Sequence, residues 1–422
     1  MQSDKIVFGL DIGTTKIVCL AGRLNEYGKL EVLGVGKSKS LGVKRGIVNN
    51  IMQTVESINH AVQIVHDQFG IKVDTVCTGI AGQHIRSLQH SDYITRDKPE
   101  EFIDQNDIKR LHENVKKLIL LPGEEIIHVL AQEYKIDGQS DINEPAGMYG
   151  SRLEASFHIV AGQTAAIKNI TRCVVNAGLN INALNLEPLA SADAVLSSEE
   201  KEAGVVLVDI GGGTTDVAIF KDGIIRHTAV IPFGGNVITD DIKEGCSILQ
   251  KDAELLKIRF GSALPSENKS NEIVSIPGLR GREPKEISLK NLSKIIKARV
   301  EEIVDQVYRQ ITSYGFQEGK NKLLAGIVLT GGGSQLRHIK QLTEYITGMS
   351  TRIGFANEHL AKGTSEDISH PSYATSVGLV LRGLKINNLE DIKDNSIDKP
   401  QLSSATFFEN WSTRFLNYLL NE

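Results

Sequence analysis

Asp11 and Asp209 stand in the same local sequence, far apart in the chain. The first lies in Val7-Phe8-Gly9-Leu10-Asp11-Ile12-Gly13-Thr14-Thr15-Lys16, the second in Val205-Val206-Leu207-Val208-Asp209-Ile210-Gly211-Gly212-Gly213-Thr214-Thr215-Asp216. Each is an apolar run ending in Asp-Ile-Gly, followed by a Gly/Thr turn and a second apolar run. Such a turn carries little side-chain bulk, so its backbone N–H groups approach an anion closely. The hydroxyls of Thr14, Thr15, Thr214 and Thr215 add donors, and Lys16 adds a cation for phosphate. A carboxylate at each strand end, Asp11 and Asp209, suits Mg²⁺, held mostly through its retained waters. One copy is a weak signal, because a glycine-rich turn also serves as a tight connection. Two copies predict two similar halves, each offering one phosphate turn to a shared cleft.

A third glycine turn, Gly331-Gly332-Gly333-Ser334, follows the apolar stretch 323–329, which reads as a buried strand, and offers a flat platform for a nucleoside. The chain has no G-x-x-x-x-G-K-[ST]: Gly36-Lys37-Ser38 lacks the upstream glycine, since Glu31 stands there. G-x-G-x-x-G is also absent, which disfavours a dinucleotide fold.

The elements that hold these turns follow from periodicity. Residues 17–21 and 32–35 read as strands, 50–69 as a helix with apolar residues at Ile51, Val55, Ile58, Val62 and Val65, and 73–80 as a strand. From 83 to 163 the texture changes to a small α+β insertion. It has a helix near 104–118, strands near 126–134 and 152–160, and a Gly/Pro loop at 138–150. Residues 164–178 return to helical spacing. In the second half 264–284 reads as low in order and 287–310 as a long helix.

With 422 residues the chain has room for more than one packed domain. At 41% hydrophobic, 23% charged and a net charge of −5, it reads as an ordinary globular protein. The acidic balance argues against nucleic acid as the main partner. Lys290, Lys294, Lys297 and Arg299 read as a solvated helix face. Cys19, Cys77, Cys173 and Cys246 form no CxxC pair, so zinc and disulfide frameworks are not expected and a reducing compartment is. No stretch has the length and apolarity of a spanning helix, and the Met1-Gln2-Ser3-Asp4 start lacks a signal-peptide pattern. A cytoplasmic location is expected.

These motifs resemble those of the actin, chaperone and sugar-kinase ATPase superfamily. Asp11–Lys16 matches its first phosphate motif, Asp209–Asp216 its second and Thr330–Leu336 its adenosine motif. Glu187-Pro188-Leu189-Ala190-Ser191 and the start of the 374–379 stretch match its two connecting helices. Within the superfamily the chain is similar to the FtsA family of bacterial cell-division proteins. The insertion sits where that family carries its own subdomain. Phe233-Gly234-Gly235-Asn236 and Ala253-Glu254-Leu255-Leu256-Lys257 resemble the family's adenine-side helix. Glu254 and Lys257 lie three apart on one helix face. They could bracket the ribose or base, or form a surface ion pair.

The resemblance implies a duplicated, two-lobed actin-like α/β fold binding ATP and Mg²⁺. Residues 1–82 and 164–203, with a helix near 370–385, would form lobe one, and 83–163 the insertion. Residues 204–231 and 300–369 would form lobe two, with 232–299 a further subdomain. Glu187 corresponds to a water-positioning segment of the chaperones, though it is also a plain helix-start residue. Whether ATP is turned over or chiefly clamps the lobes stays open.

Residues 386–402 lose apolar periodicity and read as a linker. On a helical wheel, 403–422 collects Phe407, Phe408, Trp411, Phe415, Tyr418 and Leu419 within one arc, widened by Leu416 and Leu420. This is the pattern of an interfacial membrane helix; a helix docking on its own domain or a partner is the alternative. Arg414 is the stretch's one basic residue against Glu409 and Glu422, so apolar insertion must dominate. About six half-buried large apolar groups give roughly 5–8 kcal/mol gross.

The family implies a peripheral protein on the cytoplasmic face of the inner membrane, at the division septum. It would polymerise with copies of itself, receive the C-terminal peptide of the tubulin-like FtsZ near 232–304, and meet other division proteins. The alternatives are a small-molecule kinase on the same fold, or a pilus-assembly or cell-shape type of actin-like ATPase. A chaperone would need a peptide-binding domain that the short stretch after 386 cannot supply.

Overall fold

The structure is a computed structural model describing residues 5–269, 271–277, 283–316, 322–363 and 366–394. The linker stretch 395–402 and the amphipathic stretch 403–422, with Phe407, Phe408, Trp411, Phe415, Leu416 and Leu419, lie outside the described residues.

The chain opens with β1 (Val7–Ile12), β2 (Lys16–Leu24) and β3 (Leu30–Lys39), then the short pair β4 (Val43–Lys44) and β5 (Ile47–Val48). Helix α1 (Ile51–Phe69) follows because Asn50 accepts from the Gln53 amide at its N-cap, while Val55, Ile58, Ala61 and Val65 form one buried stripe. It ends where Gly70 turns left-handed, at φ 67°. Strand β6 (Thr75–Ile80) leads into the insertion: β7 (Ile85–Thr95), α2 (Gln105–Val115), β8 (Glu124–Ile136), β9 (Gln139–Ile142) and β10 (Arg152–Gln163). Lobe one resumes with α3 (Thr164–Asn176), β11 (Asn180–Leu186), α4 (Glu187–Val195) and α5 (Ser198–Ala203).

Lobe two begins with β12 (Val205–Ile210), β13 (Thr215–Lys221), β14 (Ile224–Ile231), α6 (Gly235–Gly245) and α7 (Gln250–Phe260). There follow β15 (Ile273–Ile276), β16 (Lys285–Ser288), α8 (Leu289–Ser313), β17 (Gly326–Thr330), α9 (Ile339–Thr347), β18 (Thr351–Ile353) and α10 (Glu366–Ser369). Helix α11 (Ala374–Asp394) then returns to lobe one.

The repeated motif is repeated architecture. The lobe-one sheet runs β3-β2-β1-β6-β11 and the lobe-two sheet β14-β13-β12-β17-β18. In both, three antiparallel strands precede two parallel ones. The hairpin registers also agree: Ile12 pairs Ile17, and Ile210 pairs Thr215. Each lobe thus presents a four-residue turn, 13–16 or 211–214, at the same corner of its sheet.

Helices α4 and α11 lie between the sheets. The lobe-one core holds Leu10, Ile58, Leu186 and Val377, and it continues into Leu207 and Phe220 of lobe two. A second core, with Val208, Ile296, Val300 and Leu329, covers the other face of the lobe-two sheet. It runs without a break through the 232–299 stretch, and α8 crosses residues 299 and 300 as one helix. The insertion closes its own core on one face of its β7-β10-β8-β9 sheet, around Leu111, Phe157 and Ile159. Ile127, Leu130 and Val160 join the lobe-one core instead.

Several expectations change. The loop at 138–150 contains β9, the low-order stretch 264–284 contains β15, and β7 went unread. Strand β17 starts at Gly326, because Leu324 is exposed. Residues 386–394, expected as linker, continue α11. Adding residues to a packed helix needs only propagation, and the buried Leu384 and Ile386 anchor that last stretch. No described helix is long and apolar enough to cross a membrane.

Candidate functional site

The two Gly/Thr turns meet. A Cβ placed on Gly212 would stand 2.3 Å from Thr15 Cγ2, and one on Gly213 would stand 2.6 Å from Thr14 Oγ1 and 2.9 Å from Arg45 Cα. Glycine is required there because backbone from one lobe abuts the other. Behind the contact opens a cavity of about 500 Å³. Asp11, Gly13, Thr14, Thr15, Lys16, Glu187, Asp209, Gly211, Gly212, Gly213 and Thr214 line it, with Gly235, Asn236, Glu254, Lys257, Gly331, Gly332 and Gly333.

Three residues expected at the site do not line that cavity. Thr215 is buried, and its hydroxyl donates to the Phe233 carbonyl at 2.8 Å. Ser334 is buried, and its hydroxyl donates to the Gly331 carbonyl at 2.8 Å. Gly234 packs beneath the second turn, 2.6 Å from the Gly211 carbonyl oxygen at its Cβ position. These residues shape the turns from behind. The Gly235 and Asn236 amides also serve the turn, donating to the Gly211 and Gly212 carbonyls at 2.8 Å each. The start of α6 is therefore stitched to the lobe-two Gly/Thr turn.

The strand-end carboxylates are held by the connecting helices. Asp209 Oδ2 accepts from Ser191 Oγ of α4 at 2.7 Å and from Thr375 Oγ1 of α11 at 3.2 Å. Asp11 Oδ2 accepts from Ser376 Oγ of α11 at 3.1 Å. Lys16 Nζ donates to the Ser372 carbonyl at 2.5 Å and lies 4.1 Å from the centre of the Tyr373 ring. Across the cavity Lys257 Nζ pairs with Glu254 Oε2 at 2.8 Å and donates to the Gly235 carbonyl and Thr239 Oγ1. Glu254 and Lys257 are thus both an ion pair and part of the cavity wall.

Asp216, which is not among the residues the sequence marks for the site, belongs to it. It is the register partner of Asp209 on β13 and lines the cavity. Its Oδ1 is buried without a hydrogen-bond partner. The signal was available: a hairpin of this register sets the two carboxylates side by side, and like charges so placed repel. Ser191, Thr375 and Ser376 carried no such signal, because only helix packing brings them to the aspartates.

The electrostatics follow from burial. Burial lifts Asp11 to about 6 against the pull of Lys16 and Ser376, with Asp209 adding to the rise. Burial lifts Asp216 to about 8, with Asp209 contributing. Asp209 is raised by burial and restrained by Ser191 and Thr375. Glu187 lies well above the usual carboxylate range through burial, then Asp11, Asp216 and Asp209. Burial lowers Lys16 to about 8. Four carboxyl groups thus share a poorly solvated cleft with Lys16 as the cation beside them. Hard oxygens in mutual repulsion, one with an orphaned buried atom, fit a hard divalent cation such as Mg²⁺. Among the described residues no group of three or more His, Cys, Asp and Glu is gathered as a metal cage. Such a cation would keep several of its waters.

The comparisons agree with this architecture. A family profile described as cell division protein FtsA matches residues 206–378, and one described as the SHS2 domain inserted in FTSA matches residues 82–161. The cell division protein FtsA of Pseudomonas aeruginosa is 40% identical over 386 residues, 91% of each chain. That of Neisseria meningitidis is 37% identical over 399 residues, 94% of this chain and 95% of the relative. Among solved structures, the PilM-PilN type IV pilus biogenesis complex superposes with TM-score 0.63 at 16% identity, covering 90% of this chain and 98% of that one. MreB5 of Spiroplasma citri bound to ADP gives TM-score 0.51 at 18% identity, covering 93% and 98%. At these identities the structural neighbours establish the fold alone, which is the actin-like one.

Proposed function

On the premise that this chain belongs to the FtsA family of cell-division proteins, we propose that it binds Mg²⁺-ATP between its lobes and self-assembles, tethering the FtsZ ring to the cytoplasmic face of the inner membrane. The observation that carries the nucleotide reading is the meeting of two Gly/Thr turns at a cavity ringed by Asp11, Asp209, Asp216 and Glu187. Gly13, Thr14 and Thr15 of one turn and Gly211, Gly212, Gly213 and Thr214 of the other would hold phosphate oxygens, with Lys16 beside them. Asp11 and Asp209 would hold the cation, largely through water, and its charge would relieve their repulsion. The nucleoside would lie against Gly331, Gly332 and Gly333, with Glu254 and Lys257 exchanging part of their mutual pair for ribose or base. Glu187, whose carboxyl burial and its acidic neighbours hold above the usual carboxylate range, would orient water. Turnover on this account is slow, and ATP acts first as a clamp that stabilises the closed conformer by its differential affinity.

Membrane attachment is proposed from the 403–422 pattern. A tail with roughly 5–8 kcal/mol of gross apolar gain, less ordering costs, binds marginally alone. Tails joined in an assembly bind through effective concentration. Attachment and self-assembly are therefore coupled. The FtsZ peptide is assigned to the 232–304 region, and other division proteins are further partners.

Two measurements test the reading. Calorimetry should show Mg²⁺-ATP binding that Asp209→Ala weakens; unchanged affinity refutes the metal assignment. Vesicle co-sedimentation should retain the full chain, more with ATP, and lose a chain ending at Lys399; equal pelleting of the two removes the tail from the account.

A further inference from the structure

Among the described residues strand β11 is an edge of the lobe-one sheet, paired only with β6. Its last residue, Leu186, precedes Glu187 directly and caps α4 without a side-chain hydrogen bond of its own. The Leu186 amide is buried, and it is satisfied from the insertion: it donates to Nε2 of His128 on β8 at 2.9 Å. The imidazole is fully buried, so this acceptor is fixed in a dry setting. The neutral ring must then carry its proton on Nδ1.

Ile127, Leu130 and Val160 of the insertion share the apolar core with Leu184 and Leu186, and the polar contacts of this segment among the described residues are few. Asn185 is held from α11 by Arg382 Nε at 3.1 Å. The Glu187 side chain lies against the bare backbone of Gly79, where a Cβ would stand 2.7 Å from Glu187 Cγ. Leu186 itself is held by His128. The same strand β8 reaches lobe two. Gln132 falls at the register shift opposite Ser156 and Phe157, and its Nε2 donates to the Ile225 carbonyl of β14 at 2.6 Å. Ser87 of β7 and His158 of β10 bond Thr228 beside it, at 2.6 and 3.0 Å. One strand of the insertion therefore touches both the start of α4 and the edge of the opposite lobe.

We infer that His128 is a positioning residue for Glu187, setting the carboxylate's place in the cleft through the Leu186 amide and tying it to the seat of the insertion on β14. The inference rests on the proposed nucleotide reading for its consequence in turnover, but its geometry is independent of it. A shift of the insertion against lobe two moves β8, and with it the first turn of α4. Glu187 then leaves its place over Gly79 while the phosphate turns stay where they are. Binding of ATP and placement of Glu187 become separable.

The test uses the full chain with His128→Leu, which keeps bulk without an acceptor, and His128→Gln, whose amide oxygen falls near the position of Nε2. Three readouts are taken: hydrogen exchange of the Leu186 amide, ATP affinity by calorimetry, and steady-state ATP turnover. The expected result is lost protection of Leu186 in His128→Leu, ATP affinity close to wild type, and turnover lower by about tenfold to a hundredfold. His128→Gln should restore protection and turnover. Wild-type exchange in His128→Leu, or equal behaviour of the two variants, overturns the inference. If the wild type fails to bind ATP, the proposed function is what fails; in that case, or if it binds ATP without measurable turnover, the exchange comparison still decides the role of His128. If His128→Leu does not fold, nitrogen–nitrogen coupling between Leu186 and His128 in the wild type takes its place. Its presence, with a shift of the His128 signals on ATP binding, supports the inference, and the absence of either overturns it.

Discussion

The sharpest prediction concerns the crossing of the two connecting helices. Gly378 of α11 faces Ala190 of α4 so closely that an added Cβ would stand 1.8 Å from the Ala190 carbonyl oxygen, 2.3 Å from its carbon and 3.0 Å from Cα. All three are backbone atoms of a helix, so no side-chain rotation relieves the overlap. An ordinary C···O approach is about 3.3 Å. Gly378→Ala must therefore part the helices by about 1.5 Å. Overpacking of this kind costs up to about 3 kcal/mol, and the better helix propensity of alanine returns about 1 kcal/mol. A net loss of about 2 kcal/mol remains, equivalent to roughly thirtyfold in an equilibrium constant.

Where that strain falls matters more than its size. Ser191 on α4 and Thr375 on α11 share Asp209 and bond each other at 2.9 Å, while Ser376 holds Asp11. Parting the helices breaks this set and splays the two carboxylates. Gly378→Ala should thus lower the melting temperature and weaken Mg²⁺-ATP binding by up to about thirtyfold, the limit reached if all the strain falls on the bound conformer, read by calorimetry. Gly383→Ala in the same helix is the control: its overlaps, 2.5 Å with Val7 Cγ1 and 2.6 Å with Cys77 Sγ, are with side-chain ends. It should cost some stability and little affinity. Unaltered melting and binding in Gly378→Ala would show the crossing to be yielding. Lost stability with intact affinity would show that it does not govern the cleft.

Asp216→Asn imitates the protonated form that burial favours, so at pH 8 it should raise the melting temperature of the nucleotide-free protein while reducing the Mg²⁺-dependent part of ATP affinity; a fall in both would mean that the carboxylate is needed for folding. His158 gives a pH dependence: burial lowers it to about 3, against about 6.5 in the unfolded chain. A base whose folded value is depressed contributes stability that is full above about 6.5 and is lost as pH falls toward the folded value, so urea stability should drop by about 2 kcal/mol between pH 7 and pH 5 from this residue, and His158→Asn should flatten that slope. Asp193→Ala removes the carboxylate facing Arg382 at 2.7 Å and Lys201 at 3.0 Å in a largely buried network, and should destabilise by about 3–5 kcal/mol in chemical unfolding. An effect below about 1 kcal/mol would place that network in effective contact with water.

What the sequence made legible was local. A Gly/Thr turn at the end of an apolar strand writes its geometry into adjacent residues, and its duplication anticipated the two sheets with matching strand order. Helix α1 was readable because Asn50, the apolar stripe and Gly70 are consecutive signals. Asp216 needed one further step, the hairpin register, before its proximity to Asp209 could be seen. Ser191, Thr375 and Ser376 needed the packing of α4 against α11, and His128 needed the seating of the whole insertion. Nothing in the neighbouring residues distinguishes these from ordinary helix or strand positions. The continuation of α11 past 386 was hidden for a related reason, since anchorage of its apolar residues is tertiary information.

The two turns also differ where their frames coincide, and the difference gives the cleft a direction. With Ile12 paired to Ile17 and Ile210 to Thr215, Lys16 corresponds to Thr214 and Val18 to Asp216. Lobe one therefore supplies an ammonium at the end of its turn and an apolar residue beside its aspartate. Lobe two supplies a hydroxyl and a second carboxylate. Charge of one sign comes from one copy, and the surplus of the other sign from its duplicate. On the proposed reading, a polyphosphate chain between them is drawn toward Lys16, while the cation held by Asp11 and Asp209 is drawn further toward lobe two by Asp216. Two identical turns would bind an anion with no preferred orientation across the pseudo-dyad. On that reading the divergence at positions 16 and 216, together with the glycine turn 331–333 in lobe two, would set which way round the nucleotide lies.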